Sequence, residues 1–221
     1  MKKVLVVSPH ADDETLGCGG TLLRHKSEGC NIHWIIVSGI SETEGYSAEM
    51  VVSRSNEIQK VAKMYGFDSV YNLGFPTAKL DTIPMQVLVE SLRHLIKKIQ
   101  PDILYLPYCG DVHTDHEVVF KACISCIKWF RGFNISRVLA YETLSETEFG
   151  LSPNSTFRPN VYVNISQFLA DKLAIMKVYQ SEIGSFPFPR SEQAITALAQ
   201  IRGSVSGFEA AEGFILLKET I

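Results

Sequence analysis

The stretch KVLVVSPHADDE, residues 3–14, begins with an apolar run and ends with one imidazole and three carboxylates within five residues. The run Val4–Val7 predicts a buried strand, which leaves the charged residues at the point where that strand ends. Carboxylates at this density are costly to bury unless a counter-charge compensates them. A divalent metal ion would provide that charge, because imidazole and carboxylate groups are common metal ligands.

A second cluster of His and Asp residues follows a second apolar run much further along the chain. Ile103–Leu106 predicts another buried strand, and Asp111–His116, with the sequence DVHTDH, comes shortly after it. Two strands that each end in His and Asp therefore predict one shared site.

Apolar runs alternate with helical patterns along most of the chain. Strands are predicted at 3–8, 31–38, 69–73, 102–107, 138–142 and 160–165. Helices are predicted at 15–28, from the end of the polar loop 39–47 to about 65, and at 84–100, 116–130, 166–179 and 191–201. Residues 208–217 fit a strand or a helix equally well. This order predicts an α/β fold, a three-layer, Rossmann-like, mostly parallel sheet with helices on both faces. Ligands bind such sheets beyond the carboxyl ends of the strands, where both clusters fall.

Length and composition favour one domain and disfavour nucleic acid and a membrane span. The 221 residues predict a single domain over 1–221, with a core over about 1–165 and C-terminal elements over 166–221 that contribute to the site or to an oligomer. A net charge of −3 and the lack of basic blocks disfavour nucleic acid as a partner. No stretch approaches the roughly 20 apolar residues of a membrane span, and the first apolar run meets Pro9 too early for a signal peptide. We therefore expect a cytoplasmic protein.

The two clusters contain a plausible ligand set for one metal ion. His10 and Asp13 are three residues apart in a turn that enters a helix, where both can face one point. A catalytic zinc site has three protein ligands and one open position, and His116 is the best third ligand. His113 can face the same cavity, and Asp12 is left free to approach a metal-bound water. Mixed His and carboxylate ligation suits Zn²⁺, with Fe²⁺, Co²⁺ and Mn²⁺ as alternatives.

Other interpretations of these residues stay open at this point. Either cluster alone could be a helix cap or a solvated turn. A nucleotide-binding module is disfavoured because the glycine pattern at 17–20 has Leu22 where a dinucleotide loop needs glycine. A two-metal phosphoesterase would need more ligands, and a metal-binding protein without catalysis would not need Asp12.

The motifs resemble those of a known family. Pro9–Glu14 resembles the H-P-D-D-E signature of the PIG-L/LmbE family of zinc-dependent N-deacetylases, and His113–His116 resembles its H-P-D-H motif. Weaker similarities at 17–21, 54–57, 73–76, 202–203 and 211–214 extend over nearly the whole chain. Ala11 and Thr114 stand where the family usually has proline, but neither side chain is a ligand.

The resemblance implies an LmbE-like fold, a homo-oligomer and a specific reaction. The reaction is removal of an N-acetyl group from an N-acetylated amino sugar or its conjugate. Zn²⁺ would be bound by His10, Asp13 and His116, and would lower the pKa of a bound water toward ~7. Asp12 would act as the general base that takes the proton of this water.

The resemblance also implies roles for four residues around the metal. His113 would stabilise the oxyanion, and Asp115 would orient this ring and favour its imidazolium form. The leaving amine would take its proton from His113 or from the general base. Arg54 would contact substrate hydroxyls, although an ion pair with Glu57 three residues later explains it equally well. Asp81 would replace a substrate-binding Asp that the family often has a few residues earlier.

Overall fold

The protein alternates strands and helices, which a computed structural model describes over residues 1–151 and 156–221. The strands are β1 (Lys3–Ser8), β2 (Asn31–Gly39), β3 (Ser69–Pro76), β4 (Ile103–Pro107), β5 (Arg137–Tyr141), β6 (Val161–Asn164) and β7 (Ala211–Glu219). The longer helices are α1 (Asp13–Ser27), α2 (Ala48–Tyr65), α3 (Met85–Ile99), α4 (Thr114–Cys126), α5 (Leu169–Met176) and α6 (Glu192–Ser206). The chain up to β5 therefore follows the predicted β-α-β-α order.

These strands form one sheet in the order β3-β2-β1-β4-β5-β7-β6. The five strands from β3 to β5 in this order are parallel to their neighbours. Among the described strands, β7 alone runs in the opposite direction, because it pairs antiparallel with both β5 and β6. The predicted α/β class and mostly parallel sheet are confirmed.

Residues 208–217, whose pattern fits a strand or a helix equally well, lie largely in strand β7 (Ala211–Glu219). It pairs with β6 over Ala211–Phe214 and with β5 over Phe214–Glu219. Both partners are distant in sequence, so hydrogen bonds that the local pattern does not contain decide this conformation. The sheet is therefore completed by residues close to the C-terminus.

Several helix ends differ from the predicted ones. α1 begins at Asp13 rather than at residue 15, so the helix starts inside the first cluster. α4 ends at Cys126 rather than near 130, and α5 is shorter than predicted at both ends. α6 continues to Ser206, where Gly207 with φ 79° provides the left-handed residue that commonly ends a helix.

Helices cover both faces of the sheet. α1, α2, α5 and α6 pack on the face to which Val4 and Val6 of β1 point, and α3 and α4 pack on the face of Leu5 and Val7. Successive residues of β1 therefore enter different cores, which explains why this strand is apolar throughout. Among the described residues, no helix combines the length and apolar character needed to cross a membrane.

A buried ion pair fastens the C-terminal segment to α1. The Glu212 carboxylate accepts hydrogen bonds from the backbone N–H groups of Gly20 at 2.9 Å and Thr21 at 2.7 Å. Lys172 Nζ lies 2.7 Å from Glu212 and donates to the Leu16 carbonyl at 2.9 Å. Because each charge is satisfied by fixed partners, the pair can be buried without a large penalty. α5 and β7 thereby support the helix that follows the first cluster.

Candidate metal centre and active site

The two clusters meet at one edge of the sheet. β1 and β4 are adjacent parallel strands, with Val4 beside Ile103 and Val6 beside Tyr105. Their carboxyl ends point the same way, so the residues that follow β1 lie beside those that follow β4. The first cluster continues into α1 and the second into α4. The fold thus brings the predicted catalytic and metal-binding residues together.

Three side chains from these clusters form a possible metal site. One ligand atom from each of His10, Asp13 and His116 lies within 4.8 Å of the other two. His116 Nε2 is 3.4 Å from Asp13 Oδ1, and His10 Nδ1 is 3.4 Å from Asp13 Oδ2. These spacings are longer than ordinary hydrogen bonds, and a cation between the three groups would contact all of them.

The ring of His116 has a buried nitrogen that no protein group satisfies. Its Nδ1 is 2.8 Å from Asp111 Oδ2, so with a metal bound Nδ1 would keep its hydrogen and Nε2 would present a lone pair. Nε2 is buried and has no hydrogen-bond partner among the described residues. A buried polar atom without a partner destabilises a protein that binds no ion, whereas a metal ion would provide the missing partner. The residues present therefore fit a bound metal ion.

The charges at the site are matched to a cation. Burial opposes ionisation of Asp13, but the adjacent positive charges of His116 and His10 hold the pKa of this carboxyl below its usual range. Burial also opposes protonation of His10, yet hydrogen bonds to Asp115 and Asp13 raise the pKa of His10 to about 9. A proton occupies this imidazole when no cation does. Metal binding would therefore release protons, as is usual for His ligands.

Asp12 lies between two candidate ligands in an unusual backbone conformation. Its φ is 148°, a value that residues other than glycine rarely adopt, and its side chain is buried. Burial and the charges of Asp13 and Glu182 raise the pKa of the Asp12 carboxyl well above its usual value, against an opposing effect of Arg190. Strained conformations of this kind occur where a site needs a side chain in one place.

His113 lies beside the two candidate histidine ligands, but its contacts differ from the expected ones. Its ring centroid is 4.5 Å from that of His10 and 5.6 Å from that of His116. The backbone N–H of Asp115 donates to His113 Nδ1 at 3.1 Å, so the hydrogen of the neutral ring sits on Nε2. Burial and the charges of His10 and His116 lower the pKa of His113. These contacts favour a neutral ring over the expected imidazolium.

The Asp115 carboxylate contacts His10 instead of the His113 ring. Its Oδ2 is 3.0 Å from His10 Nε2, and the carboxylate accepts hydrogen bonds from the backbone N–H groups of Ala78 at 2.8 Å and Leu80 at 3.1 Å. His10 is therefore the ring that this side chain contacts, whereas the backbone N–H of Asp115 contacts His113. Asp115 is also part of a second possible metal-binding group with His10 and His113.

The two predicted substrate-binding residues lie in different surroundings. Arg54 is half-buried, donates to the Ala11 carbonyl at 2.8 Å and lies 3.2 Å from Glu57, which is the predicted pair at three residues' spacing. Asp81 is exposed in the short turn Leu80–Thr82. The backbone N–H of Leu80, the first residue of this turn, donates to Asp115, so the turn lies against the second cluster.

Four residues around the site were given no role by the sequence analysis. Asp111 lies in the second cluster, five positions before His116, and its spacing was the one signal that could have revealed it. Thr147 donates to the other oxygen of Asp111 at 2.6 Å. Glu182 and Arg190 come from the segment after α5, which has no recognisable motif.

We expect Asp111→Asn to weaken metal binding about 10- to 100-fold. The substitution removes the carboxylate charge, which orients the His116 ring and makes its Nε2 a stronger metal ligand. The measurement is metal content after dialysis against buffered free Zn²⁺. Thr147→Val, which removes a hydrogen bond from Asp111 but no charge, should have a smaller effect. Equal metal affinity in Asp111→Asn and the unsubstituted protein would contradict the assigned role.

Comparison with known proteins finds deacetylases and one other type of enzyme. A diacetylchitobiose deacetylase of Thermococcus kodakarensis is 26% identical over 232 residues, which span 96% of this chain and 82% of the relative. The conserved protein TT1542 of Thermus thermophilus superposes with a TM-score of 0.80 at 26% identity and covers 100% of this chain and 97% of its own. A 4-carboxy-2-hydroxymuconate hydratase of Pseudomonas putida superposes at 0.75 with 20% identity, over 100% and 98% of the two chains. The fold alone therefore does not fix the reaction.

A family model covers the part of the chain that carries both clusters. The model described as PIG-L, GlcNAc-PI de-N-acetylase, matches residues 5–127, which is more than half of the chain. The match includes His10, Asp12, Asp13, His113 and His116, all at the positions that the geometry brings together. The chain belongs to the PIG-L family.

Proposed function

We propose that this protein is a metal-dependent hydrolase that removes an N-acetyl group from an N-acetylated amino sugar or its conjugate. The observation that carries the proposal is the buried, unpartnered Nε2 of His116 facing Asp13, with the carboxylate of Asp12 beside them. Family membership and the name of the Thermococcus relative support an acetamide as the bond that is cleaved.

We propose Zn²⁺ as the metal, with His10, Asp13 and His116 as its ligands. Three protein ligands with an open position are typical of catalytic zinc, and mixed His and carboxylate sets occur there. When bound, the ion would supply an ionised water near neutral pH and positive charge for the carbonyl oxygen. Fe²⁺, Co²⁺ and Mn²⁺ accept the same ligand types, and metal analysis of the purified protein distinguishes them.

Asp12 and His113, which are not ligands, have different roles: Asp12 transfers the proton and His113 stabilises the oxyanion. Asp12 accepts a proton from the water as its oxygen attacks the acetamide carbon. His113 donates a hydrogen bond from Nε2 to the oxygen that becomes negative, which is worth roughly 3–4 kcal/mol in comparable oxyanion sites. Asp12 then gives its proton to the nitrogen as the carbon–nitrogen bond breaks, and acetate and a free amine leave. A neutral His113 has no extra proton to give, which supports Asp12 as the group that protonates the leaving nitrogen.

Asp115, Asp81 and Arg54 act around this centre. Asp115 positions His10 through the 3.0 Å contact to its Nε2, which leaves Nδ1 to face Asp13. Asp81 is available for sugar hydroxyls because it is exposed in the turn that lies against the second cluster. Arg54 uses most of its donors on protein groups, so a contact with substrate would involve its remaining Nη1 hydrogen.

We propose one deacetylase domain over residues 1–221 that works in the cytoplasm. The segment after α5 supplies Arg190, whose Nη1 lies 3.9 Å from Asp12, and this supports a site built from the whole chain. The cysteines of the chain are free, as is typical of proteins in a reducing compartment.

A panel of acetylated sugars tests the proposed function. N-acetylglucosamine, diacetylchitobiose and glycoside conjugates of N-acetylglucosamine would be assayed for released acetate and free amine, with and without a chelator. We expect release from at least one of them, abolished by the chelator. A protein that cleaves phosphoesters, or that hydrates 4-carboxy-2-hydroxymuconate and releases no acetate, would contradict the proposal.

A further inference from the structure

Two arginines contact the two residues that separate the ligands His10 and Asp13. Arg54, from α2, donates from Nη1 to the carbonyl oxygen of Ala11 at 2.8 Å. Arg190, from the segment between α5 and α6, has its Nη1 3.9 Å from Asp12 Oδ2. Each arginine therefore acts on one end of the Ala11–Asp12 dipeptide, one through the backbone and the other through the side chain.

A single carboxylate joins the two arginines. Glu182 Oε1 accepts a hydrogen bond from Arg54 Nη2, and its Oε2 is 3.1 Å from Arg190 Nη2. Arg190 Nε also donates to the backbone carbonyl of Glu182 at 2.9 Å. We call Arg54, Glu182 and Arg190 the arginine clamp. It connects α2 to the segment between α5 and α6 beside Asp12.

The clamp is shielded from water more than an ordinary surface ion pair. The exposed fractions of its side chains are 19% for Arg54, 22% for Glu182 and 21% for Arg190. The Lys177–Glu192 pair, by comparison, is 54% and 53% exposed. Interactions between charges strengthen as water is excluded, and a network of several charges loses less side-chain entropy per contact than an isolated pair.

The backbone of Asp12 gives a reason for such a clamp. A φ of 148° at a residue with a side chain costs on the order of 1–3 kcal/mol and persists only where the surroundings enforce it. The Asp12 N–H is fixed by Glu14 Oε2 at 3.0 Å, but this bond acts on one side of the residue only. The clamp acts on the preceding carbonyl and on the carboxylate.

We propose that Glu182 and Arg190 are positioning residues for Asp12. By holding Arg54 against Ala11 and Arg190 against the carboxylate, Glu182 keeps the strained dipeptide in the conformation that aims Asp12 at the attacking water. This inference rests on the proposed function, because the general base it positions is the one assigned there. Arg190 and Glu182 need not contact substrate in this role.

Kinetics of two clamp variants test the inference. We expect Glu182→Gln, which removes the charge between the arginines, to lower kcat about 10- to 100-fold while metal content is retained. Arg190→Lys keeps the positive charge but cannot make both Glu182 contacts, so it should lower kcat in the same range. KM should change by less than about twofold in both, since the lost interaction is not with substrate. Glu192→Gln, the same substitution in the exposed pair, is the matched control.

The double variant and hydrogen exchange separate this inference from the proposed function. Residues that act as one unit are not additive, so Glu182→Gln with Arg190→Lys should be no slower than about the slower single variant. Independently of any activity, amides of residues 9–15 should exchange faster in Glu182→Gln than in Glu192→Gln. Unchanged exchange, an unchanged kcat or a rise in KM alone would overturn the clamp. If the unsubstituted protein releases acetate but the variants do not behave as expected, the clamp is wrong and the proposed function stands. If the unsubstituted protein releases no acetate, the proposed function is wrong and hydrogen exchange alone tests the clamp.

Discussion

Asp12→Asn is expected to lower kcat by about 10²- to 10⁴-fold while the protein keeps a full complement of metal, because a general base typically contributes this factor. Asparagine has nearly the same shape as aspartate but cannot accept the proton. Because the two side chains have the same branching, the backbone at φ 148° should be no more strained in the variant than in the unsubstituted protein. The candidate ligands His10 and Asp13 on either side are unaltered.

The measurements are kcat for acetate release and metal content of the same sample. Asp171→Asn, at an exposed position in the first turn of α5, is a matched control for the chemical change and should match the unsubstituted protein in both. A metal-free Asp12→Asn protein would place Asp12 among the ligands. An active variant would remove it from the proton transfers.

His116→Ala is expected to abolish activity and to lower metal affinity by more than about 100-fold, the upper range for loss of a residue that only supports a ligand. The ring supplies the buried Nε2 that faces Asp13 and holds the Asp111 carboxylate through Nδ1. Removing it deletes one of three ligands and leaves Asp111 Oδ2 without its ring partner, while Thr147 still donates to Oδ1. The second effect should destabilise the fold by about 1–3 kcal/mol.

Metal content and thermal melting measured together separate the two effects. His116→Gln fills more of the space and can hydrogen-bond Asp111, so it should recover stability and still bind metal poorly. His94→Ala, at an exposed position on α3, is the control for loss of an imidazole. A His116→Ala protein with one tightly bound ion per chain would exclude this histidine from the ligand set.

The position of the site could be predicted because it depends on local sequence and one rule of topology. Residues 3–14 combine a strand that is apolar on both faces with charged residues at its end, and Ile103–Leu106 repeats the pattern. In a parallel sheet both ends lie at the same edge, and β1 and β4 are indeed neighbours. The fold class followed from the same alternation of strands and helices.

Contacts between distant segments could not be predicted in this way. The Asp115 carboxylate contacts His10 because α4 places it opposite the first cluster, where the turn after β3 adds two N–H donors. Glu182 and Arg190 reach Asp12 from the other end of the chain, and no spacing in the sequence records that approach. β7 is a strand because β5 and β6 accept it between them.

Removal and return of the metal test the central claim most directly. Protein stripped with a chelator would be titrated with Zn²⁺ while acetate release from an N-acetylated sugar is followed. Activity should be lost on stripping and should rise to a plateau at one ion per chain, because His10, Asp13 and His116 supply ligands for a single ion. Acetate release that is indifferent to stripping, or that requires two ions per chain, would contradict the account.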